Sequence, residues 1–235
     1  MLKVKLFLIP SLLAADSYDS LPPETKEAVK TTQYYLVEDL RTARRFIGGW
    51  KIEGITVQDL NFQILDKKTK PEKVQELFKN IPKGENVGVI SEAGCPGIAD
   101  PGALAVQYAH KNNIQVKPLV GPSSILLALM ASGLSGQKFA FHGYLPIKKA
   151  EKQKALKNLE KDSANLYQAQ IFMETPFRNS AMLEDLCSNL NGDTKLCVAA
   201  NINAEDEYIM TMTIRQWKKA KVDIHKKPCI FIIQS

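Results

Sequence analysis

VGVISEAGCPGIADPG, Val87 to Gly102, decides how the chain is read. Val87–Ile90 has the length and composition of a short buried strand, and Ala103-Leu104-Ala105-Val106 opens a helical pattern. The twelve residues between them carry three glycines and two prolines. Strand-to-helix connections in compact α/β units usually take about 2–6 residues, so a longer, stiffened one suggests a loop shaped for a ligand. The plainer alternative is that glycine and proline simply make turns.

Outward from this loop, short apolar runs alternate with helical patterns: KLFLI, PPETKEAVK, YYLVE, LRTARRFIG, FQILD, PEKVQELFKN, VGVIS, ALAVQYAHK and QVKPLV. The alternation predicts a largely parallel sheet with helices as crossovers. Pro22-Pro23 and Pro71 suit first helical turns, and Asn80 with Lys83-Gly84 marks an exit. At Gly121-Pro122-Ser123-Ser124 the fifth strand gives way to ILLALMASG, a helix so apolar that burial between layers or domains is expected. We therefore divide the chain into residues 1–120 and 121–235.

The second part reads FAFHGYL, a charged helix KKAEKQKALKNLEK, YQAQIFME, FRNSAMLEDLCSNL, KLCVAA, YIMTMTI, a short helix at Trp217 and CIFII. That rhythm predicts a mixed sheet with at least one antiparallel pair. Two α/β domains follow as the fold class.

The 235 residues are 45% hydrophobic, enough for a real core. Thirty-one basic against 25 acidic residues give a net charge of +6, which permits a polyanionic partner without demanding one. Cys95, Cys187, Cys197 and Cys229 are far apart with no Cys-x-x-Cys pair, which suits a reducing compartment. Lys3 and Lys5 ahead of LFLIPSLLAA resemble a signal peptide, but Pro10 and Ser11 interrupt the run. Val4, Leu6 and Leu8 alternate with Lys3, Lys5 and Phe7 as a first strand would. No apolar stretch approaches the ~20 residues needed to span a bilayer, so a soluble cytoplasmic protein is expected.

The chain has no phosphate loop, no dinucleotide fingerprint, no H-E-x-x-H and no G-x-S-x-G elbow. His110, His142 and His225 are scattered, and no metal site is expected. What remains is the pair of junctions at Ser91–Gly102 and Gly121–Ser124, each placed after an edge of the parallel sheet. Glycines there would let backbone approach a ligand, and helix N-termini would offer free N–H groups.

VGVISEAGCPGIADPG, then VKPLVGPSSILLALMASGL, FAFHGYLP and a lysine-rich helix resemble the tetrapyrrole methylase superfamily of S-adenosylmethionine-dependent methyltransferases. The likeness is strongest to its small-subunit ribosomal RNA cytidine 2′-O-methyltransferases. Glu38, Asp39 and Arg41 match that branch's Glu-Asp-x-Arg, and IFMETPFR occupies its Phe-Tyr-Glu-x-x-x-Arg-like segment. The resemblance implies a homodimer and a ligand cleft between two α/β domains that takes S-adenosylmethionine. Ser91, Ala93, Gly94, Ile98 and Asp100 would line one side, Ser123, Ser124 and Ala128 would lie below, and Gly143, Tyr144 and Met173 would come from the second domain. Glycines would bring backbone to the donor, and Asp100 or backbone carbonyls would face its cationic groups.

Three departures bear on the acceptor. Pro10–Asp16 replaces a Pro-x-Gly-Asn-type loop, Ala200-Asn201-Ile202-Asn203-Ala204 replaces a charged Arg-Glu-Leu-Thr-Lys run, and the sequence ends at Ser235 directly after its last strand. Alignment of donor and acceptor can supply ~7–11 kcal/mol, whereas a general base typically gives 10²–10⁴-fold, so losing the charged run leaves methyl transfer possible. Glu38, Asp39 and Glu174 are the candidate bases. Each has an alternative: Glu38 and Asp39 as helix caps, Glu174 as a partner of Arg178. Arg41, Arg44 and Arg45 fall on helical spacing as candidate substrate contacts, as do Lys149, Lys152 and Lys157, and Lys218, Lys219 and Lys221 flank Trp217. A solvated helix face explains any one such cluster. Ribosomal RNA or the small ribosomal subunit is the first-choice partner. A small acceptor such as a tetrapyrrole, or donor binding without methylation, are the alternatives.

Overall fold

The computed structural model describes residues 4–235. Lys3, set by the sequence pattern on the polar side of the first strand, lies outside the described residues. The chain divides between Ser123 and Ser124 into two compact units.

The first unit is a five-stranded sheet of β1 (Lys5–Ile9), β2 (Tyr34–Val37), β3 (Asn61–Ile64), β4 (Val87–Ile90) and β5 (Gln115–Pro118). Its order is β3-β2-β4-β1-β5, and every neighbouring pair is parallel. The crossovers carry α1 (Pro23–Lys30), α2 (Leu40–Gly49), α3 (Pro71–Lys79) and α4 (Gly102–Lys111). Pro23 and Pro71 open α1 and α3, where a missing N–H costs nothing. Helices on both faces bury the central strands on both sides. All four residues of β4 are buried. The alternation expected for the first strand therefore does not appear as a buried and an open face: Leu6, Phe7 and Ile9 of β1 are all buried. Pro118 is tolerated because β5 is an edge strand.

Strand order corrects one expectation. The Ser91–Gly102 junction follows β4, the middle strand, and only the Gly121–Ser124 junction follows an edge. Periodicity shows which residues are buried but not which strand lies beside which. The corrected position matters, because β2 sends its chain outward to β3 while β4 sends its chain the other way to β5. Neighbouring strands whose connections diverge leave a crevice at their carboxyl ends, the usual ligand position in open α/β sheets.

The second unit begins with α5 (Ser124–Ser132) and contains β6 (Phe139–Tyr144), α6 (Lys149–Leu166), β7 (Ala169–Glu174), α7 (Asn179–Asn189), β8 (Lys195–Ala200), β9 (Tyr208–Thr213), α8 (Ile214–Trp217) and β10 (Cys229–Gln234). The order is β6-β7-β10-β8-β9, with β6 and β7 parallel and the other pairs antiparallel. A mixed sheet was expected here and is found. Phe172, Phe231, Leu196 and Val198 pack with α6, α7 and α8 residues on one face, and the Trp217 indole donates to the Leu196 carbonyl at 2.8 Å. On the other face α5 packs against β8, β9 and β10, burying Ala128 and Leu129 but leaving Met130 78% exposed. Within the second unit the burial expected for α5 is met on one side only, because one helix lying on one sheet covers only the side that faces it. Among the described residues no helix is long and apolar enough to cross a membrane.

Candidate functional site

The β4 loop is built from its own backbone. Ser91, almost fully buried, directs its hydroxyl to the Ala93 and Gly94 carbonyls. Asp100 accepts from the Gly97 N–H with both carboxylate oxygens, at 2.8 and 2.9 Å, and from the Gly102 N–H at 2.7 Å. It therefore closes the loop and meets the first N–H of α4. Burial pushes the Asp100 carboxyl above its usual range, and the N–H donors of Gly97, Gly102 and Ile98 pull it back down. Asp100, expected to face a ligand's cationic groups, holds the loop together in the structure. Its three hydrogen bonds are spent inside the loop, though its charge still reaches the crevice.

Two further strand ends lock onto this loop. Ser11, after β1, donates from its hydroxyl to the Ser91 carbonyl at 3.1 Å, and its backbone N–H reaches the Gly94 carbonyl at 2.9 Å. The Pro10–Asp16 segment that departs from the family pattern is thus bonded directly to the β4 loop. After β5, the Cys95 thiol lies 3.4 Å from the Pro122 carbonyl. The junction glycines serve these contacts. Gly94 has φ +70°, and a Cβ there would lie 3.3 Å from both Leu13 Cδ2 and the Pro122 carbonyl oxygen. A Cβ at Gly121 would lie 2.3 Å from the Pro10 ring. At these positions the close approach that glycine permits is to the chain itself.

The other donor-side residues fall as follows. Ala93 and Ile98 are exposed on the loop, Ser123 is half-buried after β5, and Ser124 is the first residue of α5. Ala128 is fully buried, its methyl group covered by protein. In the second unit Tyr144 and Met173 are paired neighbours at the carboxyl ends of β6 and β7, beside an irregularity containing Gly143 at φ +64°.

The three candidate bases separate. Asp39 caps α2 and accepts from the Thr42 N–H at 2.7 Å, a bond that holds its carboxyl below the usual range. Glu174 is buried and takes the Arg178 Nε–H at 2.9 Å and the Thr175 N–H at 2.7 Å on the same oxygen. For these two the structure matches the capping and pairing alternatives. Glu38 does not cap a helix. It follows β2, its side chain 14% exposed, with Lys67 Nζ 3.8 Å from its carboxylate. Burial raises its pKa first, then the Glu92 charge; Lys67 opposes them and Asp100 adds to the rise. Glu38 after β2, Lys67 after β3, and Glu92 and Asp100 after β4 thus act on one another electrostatically at the carboxyl ends of neighbouring strands.

Arg41, Arg44 and Arg45 are all exposed along α2, with Arg44 over the Phe62 ring at 5.5 Å. Lys152 is different: its side chain is 12% exposed and ion-paired with Asp185 of α7, so it is not part of an open basic face. The Ala200–Ala204 segment is a tight turn in which Asn201 and Asn203 take positive φ and bond to Asp206 and Glu207. His142 contacts the buried Gln170 amide oxygen at 2.6 Å. Among the described residues no group of three or more His, Cys, Asp or Glu is placed to hold a metal. Sequence reasoning missed Ser11, Lys67 and Glu92, whose partners lie on distant segments and leave no local signature.

Comparison with known proteins fits this geometry. A family model described as Tetrapyrrole (Corrin/Porphyrin) Methylases matches residues 21–218. Ribosomal RNA small subunit methyltransferase I of Synechocystis sp. is 28% identical over 195 residues, covering 83% of this chain and 66% of that protein. The protein of the same name from Buchnera aphidicola subsp. Schizaphis graminum is 26% identical over 231 residues, covering 97% of this chain and 77% of its own length. The crystal structure of diphthine synthase superposes with a TM-score of 0.69 at 14% identity, over 99% of this chain and 90% of that one, a likeness of fold alone.

Proposed function

The chain belongs to the tetrapyrrole methylase family, and on that premise we propose that it is an S-adenosylmethionine-dependent methyltransferase acting on a ribose 2′-hydroxyl of ribosomal RNA. The observation that carries this reading is the crevice after β2 and β4. There Glu38, Glu92 and Asp100 set three carboxylates beside Lys67, a balance that favours a cation. S-adenosylmethionine, when bound, supplies a methyl group on a positively charged sulfur. The Ser91–Gly102 loop fits such a donor: it is pinned by Ser11, Asp100 and Cys95, and it leaves Ala93 and Ile98 open as an apolar wall.

Glu38 is the proposed proton acceptor for the hydroxyl, since Asp39 and Glu174 are already engaged. Holding the reactants in line is the larger contribution, ~7–11 kcal/mol, and the base adds about 10²–10⁴-fold. The RNA acceptor is supported by the names of the curated relatives and by the exposed arginines of α2. Methyl incorporation from labelled donor tests the reading, with small ribosomal subunits, free ribosomal RNA and a tetrapyrrole panel as acceptors. Label in RNA is expected. Label in a tetrapyrrole alone would replace the acceptor, and donor binding with no label anywhere would leave a binding protein. We also infer a homodimer working in the cytoplasm, supported by the exposed Met130 on the very apolar α5. Light scattering at micromolar protein checks the assembly, and a monomer there removes it.

A further inference from the structure

We propose that Lys67 is a positioning residue for Glu38, its ammonium group holding the Glu38 carboxylate ionised at the carboxyl end of β2 so that it can take the proton of the acceptor hydroxyl. The proposal rests on the reading of Glu38 as the base and adds the residue that keeps it competent.

The geometry begins with the sheet. β2 and β3 are parallel and in register, Val37 opposite Ile64, so the segments that leave them start side by side. The turn after β3 is fixed by Asp66, whose carboxylate accepts from the Lys68 N–H and the Thr69 hydroxyl, each at 2.9 Å, while the Asp66 N–H reaches the Thr69 oxygen at 3.0 Å. Lys67 is carried on this turn and brings its Nζ to 3.8 Å from Glu38 Oε1. Glu38 needs such a partner. Its side chain is 14% exposed, and the Glu92 and Asp100 carboxylates face it from the β4 loop, so burial and both neighbours favour its neutral form. Lys67 is the side chain of opposite sign that pairs with it, and its charge works against the burial and the two carboxylates.

The chemistry sets the requirement. When the acceptor oxygen bonds to the methyl carbon, the carbon–sulfur bond breaks and its electron pair stays on sulfur. The hydroxyl proton must leave, and it passes to Glu38. A carboxyl that is already protonated cannot take it. Lys67, 66% exposed, can hold Glu38 in the charged form without being buried itself.

The test uses the full chain with Lys67→Met and Lys67→Arg. Because Lys67 is exposed, both should fold, which circular dichroism and thermal melts check. The Glu38 carboxyl is titrated by NMR with carbon-labelled glutamate, using Glu38→Gln to assign its signal. Lys67→Met should move the Glu38 midpoint upward by about 0.5 to 1 pH unit, and Lys67→Arg should restore it. The acid limb of kcat/KM for methyl transfer should move by the same amount and in the same direction, with the high-pH plateau kept. An unmoved Glu38 midpoint in Lys67→Met overturns the pairing. A moved midpoint with an unmoved acid limb overturns the role in the reaction. If Glu38→Gln also keeps full activity, it is the reading of Glu38 as the base that has failed.

Discussion

Glu38, Asp39 and Glu174 are all carboxylates of the candidate machinery, yet their partners set them apart. Glu174→Gln removes the charge from an oxygen that holds Arg178 and the Thr175 N–H, so it should lower stability by about 1–3 kcal/mol while leaving methyl transfer largely intact. Glu38→Gln should do the reverse, folding normally and losing about 10²–10⁴-fold in rate. Denaturant melts and single-turnover assays on both variants check the pair, and a rate loss confined to Glu174→Gln would move the base to the second unit. Glycines divide in the same way. Gly94 and Gly54 share a positive φ, +70° and +76°, but a Cβ at Gly54 meets nothing within 4 Å, whereas at Gly94 it meets Leu13 and Pro122 at 3.3 Å. Alanine at Gly54 should cost the left-handed strain alone, about 1–2 kcal/mol. Alanine at Gly94 should cost more, and calorimetry should find donor binding weakened only there. Equal losses and equal donor affinity would mean that the loop's contacts with Leu13 and Pro122 have no energetic weight.

At the scale of the element, α2 shows how a local signal and a functional one can share a residue. Asp39 is both part of a Glu-Asp-x-Arg match and the cap of the helix that carries Arg41, Arg44 and Arg45. Asp39→Ala should destabilise the protein by about 1 kcal/mol, and Asp39→Asn, a good cap, by less. The folded-state pKa of Asp39 is lowered, so its contribution is present above the unfolded carboxylate pKa, about 3.9, and is lost as pH falls through the lower folded value. The stability gap between wild type and Asp39→Ala should therefore close in acid, which urea melts across that range can follow. The elements themselves were legible, because their periods are local: β4 as a buried run, α1 and α3 from their prolines, α8 from a short pattern at Trp217. The order of the strands was not. Nor was the turn at Ala200–Ala204, where Asn201 and Asn203 replace a charged run by adopting positive φ. The site was legible in its loop and illegible in its long-range partners, since nothing near Lys67 in sequence announces Glu38.

For the whole molecule, a net charge of +6 becomes informative only through its distribution. Lys152 is paired with Asp185, Lys148 with Glu151 and Lys117 with Glu24, and since each pair also uses one carboxylate, the excess of +6 stays with the basic residues outside such pairs. The α2 arginines are not drawn into any ion pair seen among the described residues, and Arg44 lies over the Phe62 ring at 5.5 Å rather than against a carboxylate. A guanidinium kept exposed in this way suits a phosphate, which it can meet with paired donors. If the acceptor is RNA, binding should weaken steeply with salt as counterions return to the strand, with a slope of about 0.7–0.9 per phosphate contact. Replacing Arg44 and Arg45 by glutamine should flatten the plot of log affinity against log salt by about one unit per lost contact while donor affinity stays the same. Filter binding of ribosomal RNA across a salt series, beside calorimetry with the donor, measures both. A slope unchanged by the two substitutions would put the phosphate contacts elsewhere. An acceptor whose binding ignores salt altogether would be a small molecule, and the RNA reading would then be abandoned.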